Sequence, residues 1–198
     1  LNLKATLLRR QGKNDEAEKL LLRAETLPQV MPLPDPIYAA LFAEGVSSYW
    51  HKTRGQVFMS RREYQQAARE FRAAVDAAPI AESWHNYGVA LKYLRSGESA
   101  EEALLQALTL NPDFAESHMT LGSLYLEANR SREAEQHLLQ ATSLNPRLVD
   151  AHYDLGMLYL NQRKQRKGLS VFLKGLRENE GDAKLAFRAA WLLAVAPY

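Results

Sequence analysis

Residues 115–148, AESHMTLGSLYLEANRSREAEQHLLQATSLNPRL, decide the fold. Leu121 and Tyr125 lie four apart, which places them on one face of a helix, and Gly122 beside them lets a neighbouring helix approach closely. A second helical pattern follows, with Ala134, Leu138 and Ala141 on a shared face and Pro146 stopping it. The stretch recurs along the chain. Gly55, Gly88, Gly122 and Gly156 are separated by 33, 34 and 34 residues. The same steps separate Ala67, Ala100, Ala134 and Gly168, then Phe71, Leu104, Leu138 and Phe172, then Ala74, Ala107, Ala141 and Gly175. Pro79, Pro112 and Pro146 keep the register too, with Glu180 in the fourth place. Within other copies Tyr87 and Leu91, and Leu155 and Tyr159, repeat the four-residue spacing. A period of this length marks an array of supersecondary units, each burying its apolar face against the next. Capping-box spacing at Asp113/Glu116 and Ser99/Glu102 predicts helix starts there.

The pattern resembles the tetratricopeptide repeat family, whose 34-residue signature runs aromatic, Leu-Gly, Tyr, Ala, Phe, Ala, Pro. Residues 115–148 carry Leu121, Gly122, Tyr125, Ala134, Leu138, Ala141 and Pro146 at the expected places, and Trp84 supplies the early aromatic in residues 81–114. The resemblance implies an all-α, right-handed superhelical solenoid of antiparallel helix pairs. Four repeats are expected at 48–80, 81–114, 115–148 and 149–182, the last with glycine for both second-helix alanines and no proline. Ahead of them, Ala17, Leu21 and Ala24 stand 50 residues before Ala67, Phe71 and Ala74, so residues 1–28, which also contain Ala5, Leu8 and Gly12, read as a partial repeat. Between lies a connection at 29–47. Pro28, Pro32, Pro34 and Pro36 hold part of it extended, and Asp35-Pro36 opens an extra helix that breaks near residues 45–48. Because Leu1 falls inside a helical pattern, the sequence reads as a piece of a larger, bacterial repeat protein.

Residues 183–198 predict a final helix that starts a further repeat. Leu185, Phe187, Trp191, Leu192, Leu193 and Val195 are spread around most of it, whereas a terminal cap needs a polar outer face. A further repeat or a second copy of the chain in a homodimer is expected to cover it.

Composition removes several functions. The chain of 198 residues has 46% hydrophobic content, enough for a continuous core, and 25 Lys+Arg against 23 Asp+Glu, too even a balance to favour nucleic acid or an anionic membrane. It has no cysteine, hence no disulfide, thiolate metal site or thiol catalysis. The longest apolar stretches, 37–43 and 189–196, are too short to span a membrane. His51, His118 and His152 share one repeat position and His85 is a residue away, but equivalent positions on stacked helices lie about 10 Å apart, so they predict packing and no metal. Glu101, Glu102, Asp15 and Glu16 sit at second-helix starts, where the helix dipole favours negative charge. No nucleophile elbow, phosphate loop or metal motif is present, so neither catalytic residues nor cofactors are expected. The basic run Arg163, Lys164, Arg166 and Lys167 falls in the turn of the last repeat and lacks the interleaved aromatics of single-strand binders.

In the family, first helices line the concave surface. The resemblance carries this to Tyr49, Lys52, Thr53, Gln56 and Met59; to Glu82, His85, Asn86, Val89, Lys92 and Tyr93; to Glu116, Met119, Thr120, Ser123, Leu126 and Glu127; and to Asp150, Tyr153, Asp154, Met157, Leu160 and Asn161. The clamp by which co-chaperone repeats grip a C-terminal carboxylate is matched by Lys52 and Asn86 and approached by Gln56. It fails at Glu116 and Thr120, where it needs Lys and Arg. The asparagine ladder of sugar-transferase repeat domains fails too, since Asn86 is followed by Thr120 and Asp154. From Glu82 to Asp154 the set holds five carboxylates, Glu82, Glu116, Glu127, Asp150 and Asp154, with Lys92 as its fixed positive charge. The expected function is a non-catalytic scaffold holding a basic–apolar peptide segment. The alternative is a positioning or assembly arm of a larger enzyme or secretion complex.

Overall fold

A computed structural model describes residues 47–195. The partial repeat expected at 1–28 and the connection expected at 29–47 lie outside the described residues, apart from Ser47. Nine helices occupy the described residues, with no strand among them. They are α1 Ser47–Ser60, α2 Tyr64–Ala77, α3 Ala81–Tyr93, α4 Gly97–Leu110, α5 Ala115–Glu127, α6 Ser131–Leu144, α7 Val149–Asn161, α8 Gln165–Glu178 and α9 Ala183–Val195.

Helices pair in sequence, α1 with α2, α3 with α4, α5 with α6 and α7 with α8, and α9 closes against α8 and α7. Each odd-numbered helix also touches the next odd-numbered one, whereas the even-numbered helices do not touch one another. The odd row therefore lies on the tighter, inner side of the solenoid. Within each pair a glycine of the first helix meets a large side chain of the second. A Cβ on Gly55 would come 2.5 Å from the Phe71 ring, on Gly88 2.7 Å from Leu104, on Gly122 2.5 Å from Leu138 and on Gly156 2.4 Å from Phe172. Leu104, Leu138 and Phe172 are fully buried, as are Ala67, Ala74, Ala100, Ala107, Ala134 and Ala141.

Polar bonds stitch one pair to the next. The Tyr125 hydroxyl donates to Glu101 across α5 and α4 at 2.8 Å, and the Tyr159 hydroxyl donates to Glu135 across α7 and α6 at 2.9 Å. Arg130 donates to the same Glu101 at 2.7 Å. Glu101 thus acts as an inter-pair acceptor rather than only as a favourable charge at a helix start. Burial first, and the carboxylate second, push both phenols up to about 12.

The turns differ from the capping boxes expected. In each pair the first helix ends on a left-handed residue, Arg62, Arg95, Asn129 or Arg163, with φ between 58 and 61°. The following N–H reaches back five residues, as from Ser96 to Leu91 and from Arg130 to Tyr125. This is the Schellman arrangement. It leaves a single residue before the next helix, so α4 starts at Gly97 with Ser99 and Glu102 inside it, and Ser96 makes no side-chain cap. α5 starts at Ala115 after Phe114, because the Asp113 N–H is already held by the Asn111 side chain. The basic run is split by the same geometry, with Arg163 and Lys164 in the turn and Arg166 and Lys167 in the first turn of α8.

The departures in the last repeat have local causes. Where proline is missing, Asn179 ends α8 by donating its side-chain amide to the Gly175 carbonyl at 3.1 Å. Gly175 replaces alanine because a Cβ there would meet the Cβ of the buried His152 at 2.8 Å and Leu185 at 2.9 Å. On α9, Leu185, Ala189 and Leu192 are buried while Phe187, Trp191 and Leu193 stay 67%, 46% and 52% exposed.

Gly122→Ala is expected to lose about 1–3 kcal/mol of stability because Leu138 has no room to retreat. Gly97→Ala, where nothing lies within 4 Å, should be neutral or stabilising by up to about 1 kcal/mol. Urea midpoints of the two variants check this; equal values would show that the glycine–leucine contact does not set the pair spacing.

Candidate functional site

The inner row brings side chains of α3, α5 and α7 around a depression of about 380 Å³. Val89, Tyr93 and Met119 supply its apolar lining, and Glu116, Asp150 and Asp154 its carboxylates, with His85, Lys92, Thr120 and Ser123 completing the wall. These ten residues are drawn from the inner-face set expected from the sequence. Tyr93 is 55% exposed, its ring stacked on Tyr64 at 4.8 Å, so it presents an immobilised aromatic edge. Met119 and Leu126 lean on the central core, while Tyr153, Met157 and Leu160 lean on the cluster around Phe172. Glu127 and Asn161 are exposed at the ends of their helices, Gln56 is exposed within α1, and Lys52 and Met59 are half-buried. The side-chain nitrogen of Asn86 is buried and has no partner among the described residues.

Two of the expected residues are less available than their positions suggest. Thr120 is buried, and its hydroxyl donates to the Glu116 carbonyl at 2.8 Å, so it forms floor and offers no donor. Thr53 likewise returns its hydroxyl to the Tyr49 carbonyl at 2.9 Å.

Charge along the row is largely paired. Lys52 pairs with Glu82 at 3.2 Å, and Lys92 with Glu127 at 3.4 Å. Lys184 of α9 reaches Asp150 at 2.7 Å and lies 4.0 Å from the Tyr153 ring centre, while Arg188 donates to the Tyr153 hydroxyl at 3.1 Å. Ser123 donates to Asp154. Glu116 and Asp154 are then the inner-face carboxylates without a cation among the described residues. The sequence reading missed Lys184 and Arg188, and took Phe187 and Trp191 only as apolar residues of the final helix, although all four stand at repeat positions that continue the row by one helix. Their signal was present: they stand 34 residues after Asp150, Tyr153, Asp154 and Met157.

The histidines hold structure, each in its own way. His51 bonds Glu70 at 2.7 Å, His85 bonds the buried Ser117 hydroxyl at 3.0 Å, and His152 donates to the Pro146 carbonyl at 3.0 Å. His118 donates through Nε2 to the Pro112 carbonyl, which leaves its Nδ1 to accept from His137 Nδ1 at 2.9 Å. His137 stood outside the set of histidines considered from the sequence. His137 lies on the second helix of the same repeat and so meets His118, although the equivalent histidines of successive repeats do not meet. No group of three metal-ligating side chains forms among the described residues.

Three overlapping stretches, 52–113, 88–147 and 119–183, match the model of the tetratricopeptide repeat family. No protein of curated function matches the sequence. Among solved structures, the chain is similar to PilF of Pseudomonas aeruginosa, with a TM-score of 0.69 and 25% identity over 75% of this chain and 68% of the other. It is similar to MamA from Desulfovibrio magneticus RS-1, with a TM-score of 0.63 and 18% identity over 76% and 85%. It is also similar to YrrB, described as a TPR protein with an unusual peptide-binding site, with a TM-score of 0.60 and 21% identity over 96% and 90%. No helix among the described residues is long and apolar enough to cross a membrane.

Burial holds His85, His137 and His152 below the ordinary imidazole value of 6.5. Below that value the unfolded chain takes up protons more readily than the folded one, so stability falls as pH drops until the folded-state values are passed. The melting temperature is expected to decline from pH 7 to pH 5, and less steeply in His137→Gln. Parallel slopes for variant and parent would assign the loss elsewhere.

Proposed function

We infer that this chain, which belongs to the tetratricopeptide repeat family and is a protein-interaction scaffold, holds a basic–apolar peptide segment against the inner faces of α3, α5 and α7. The reading is carried by one observation: half-buried Glu116 and Asp154 lack a cation partner among the described residues, beside the exposed ring of Tyr93 and the thioether of Met119. A ligand Lys or Arg would supply the missing charge, and apolar ligand side chains would fill the space along Val89, Met119 and Tyr93. Lys52, Gln56, Glu82, His85 and Asn86 form the N-terminal part of the same face, and Glu127, Tyr153, Met157 and Asn161 the C-terminal part. That YrrB is described as peptide-binding supports the choice of ligand class. The apolar side of α9 is kept as a separate contact, for a further repeat or a second copy.

Binding of a basic–apolar peptide and of an acidic one, measured at low and moderate salt, tests the reading. The basic peptide should bind better, and Glu116→Lys should weaken it about tenfold, the equivalent of about 1.4 kcal/mol. The double change Asp150→Asn with Lys184→Gln should change little, since that ion pair is already neutral. Preference for the acidic peptide, or an unaffected Glu116→Lys variant, sinks it.

A further inference from the structure

Outside the inner row, the outer faces of the even-numbered helices carry an apolar line that the repeat does not need for its core. Leu105, Leu139 and Leu173 recur at 34-residue steps and are 41%, 46% and 43% exposed. At the α8 end this line turns basic. Arg166, Leu169, Ser170, Leu173, Lys174 and Arg177 flank a depression of about 450 Å³. Arg166, Lys174 and Arg177 make no salt bridge with any described residue. These residues follow a single stripe of α8, with charges eight and eleven positions apart, or about 12 and 16 Å along the axis.

We propose that the ligand of the inner face includes the outer face of α8 in a second copy of this chain. The inference rests on the basic–apolar reading of the groove. Its warrant is complementarity in both charge and spacing. The inner face offers unpaired Glu116 and Asp154 beside apolar side chains on neighbouring helices whose axes lie about 10 Å apart. The α8 stripe offers Arg166 and Lys174 about 12 Å apart along the axis, with Leu169 and Leu173 between them. Since the two surfaces differ, the contact is heterologous and leaves a free groove at one end and a free α8 face at the other, so assembly continues head to tail. Opposite charge steers the encounter and makes it salt-sensitive.

Sedimentation velocity of the full chain tests this across micromolar concentrations at low and moderate salt. The average mass should rise with concentration at low salt and fall back when salt is added. Glu116→Lys and Lys174→Glu, both surface changes whose melting curves should match the parent, should each weaken association about tenfold. Mixing the two variants should restore association, because an intact groove then meets an intact α8 face and the two reversed charges also complement each other. A free basic–apolar peptide should dissolve the assembly. The inference is overturned by a chain that stays monomeric, by association that neither variant weakens, or by association lost in Trp191→Glu alone, which would place the contact on α9. Peptide binding without self-association overturns this inference and leaves the groove reading standing; neither peptide binding nor association overturns both.

Discussion

Removal of one Cβ per repeat governs the solenoid. Gly55, Gly88, Gly122 and Gly156 let Phe71, Leu104, Leu138 and Phe172 lie against helix backbone, and every other spacing follows from that approach. With the two helices of a pair drawn together, small residues must fill the seam, and Ala100, Ala107, Ala134 and Ala141 do so with no exposed surface. A pair this thin has a face on either side for its neighbours, so stability is shared between intrinsic pair packing and nearest-neighbour contacts. Phenylalanine and leucine both serve at the large position without changing the approach, because both are stopped by the same backbone.

Polar groups then decide how one pair sits on the next. Tyr125 and Tyr159 each carry a hydroxyl into a largely apolar seam, where an unpaired hydroxyl would cost about 1–3 kcal/mol. Glu101 and Glu135, one repeat apart, accept those bonds. The bond has direction, so it fixes rotation between pairs where apolar packing alone tolerates sliding. His152 shows the reverse adjustment. A fully buried imidazole occupies the place of an aromatic, and Gly175 with Asn179 reshape the following helix around it.

What the sequence disclosed and what it concealed divide along the same physical line. Steric requirements repeat, because a glycine or proline at such a place has no substitute, and the helix pairs could be read from them. The turns could not. A left-handed residue is ordinarily signalled by glycine, and Arg62, Arg95, Asn129 and Arg163 adopt that conformation at some local cost because the surrounding Schellman bonds hold it. The inner-face positions were implied by the family resemblance, but their charge state was not. It depends on rotamers and on α9, whose Lys184 and Arg188 reach back over α7. The His118–His137 contact spans 19 residues with no motif to announce it.

On the proposed reading of the inner row as the binding face, its charge profile singles out fewer positions than the list of inner-face residues. Lys52, Lys92 and Lys184 each hold a carboxylate at sites that are in large part open to water, where an ion pair contributes about 0–1 kcal/mol. A ligand cation arriving at Glu82, Glu127 or Asp150 exchanges one such pair for another and gains little. At Glu116 and Asp154 nothing is displaced, and both carboxylates are half-buried, so water screens them less. Net gain therefore concentrates where α5 and α7 meet, next to Met119. Toward the two ends of the row the carboxylates are already paired, so a ligand whose positive charges lie outside its centre gains least there.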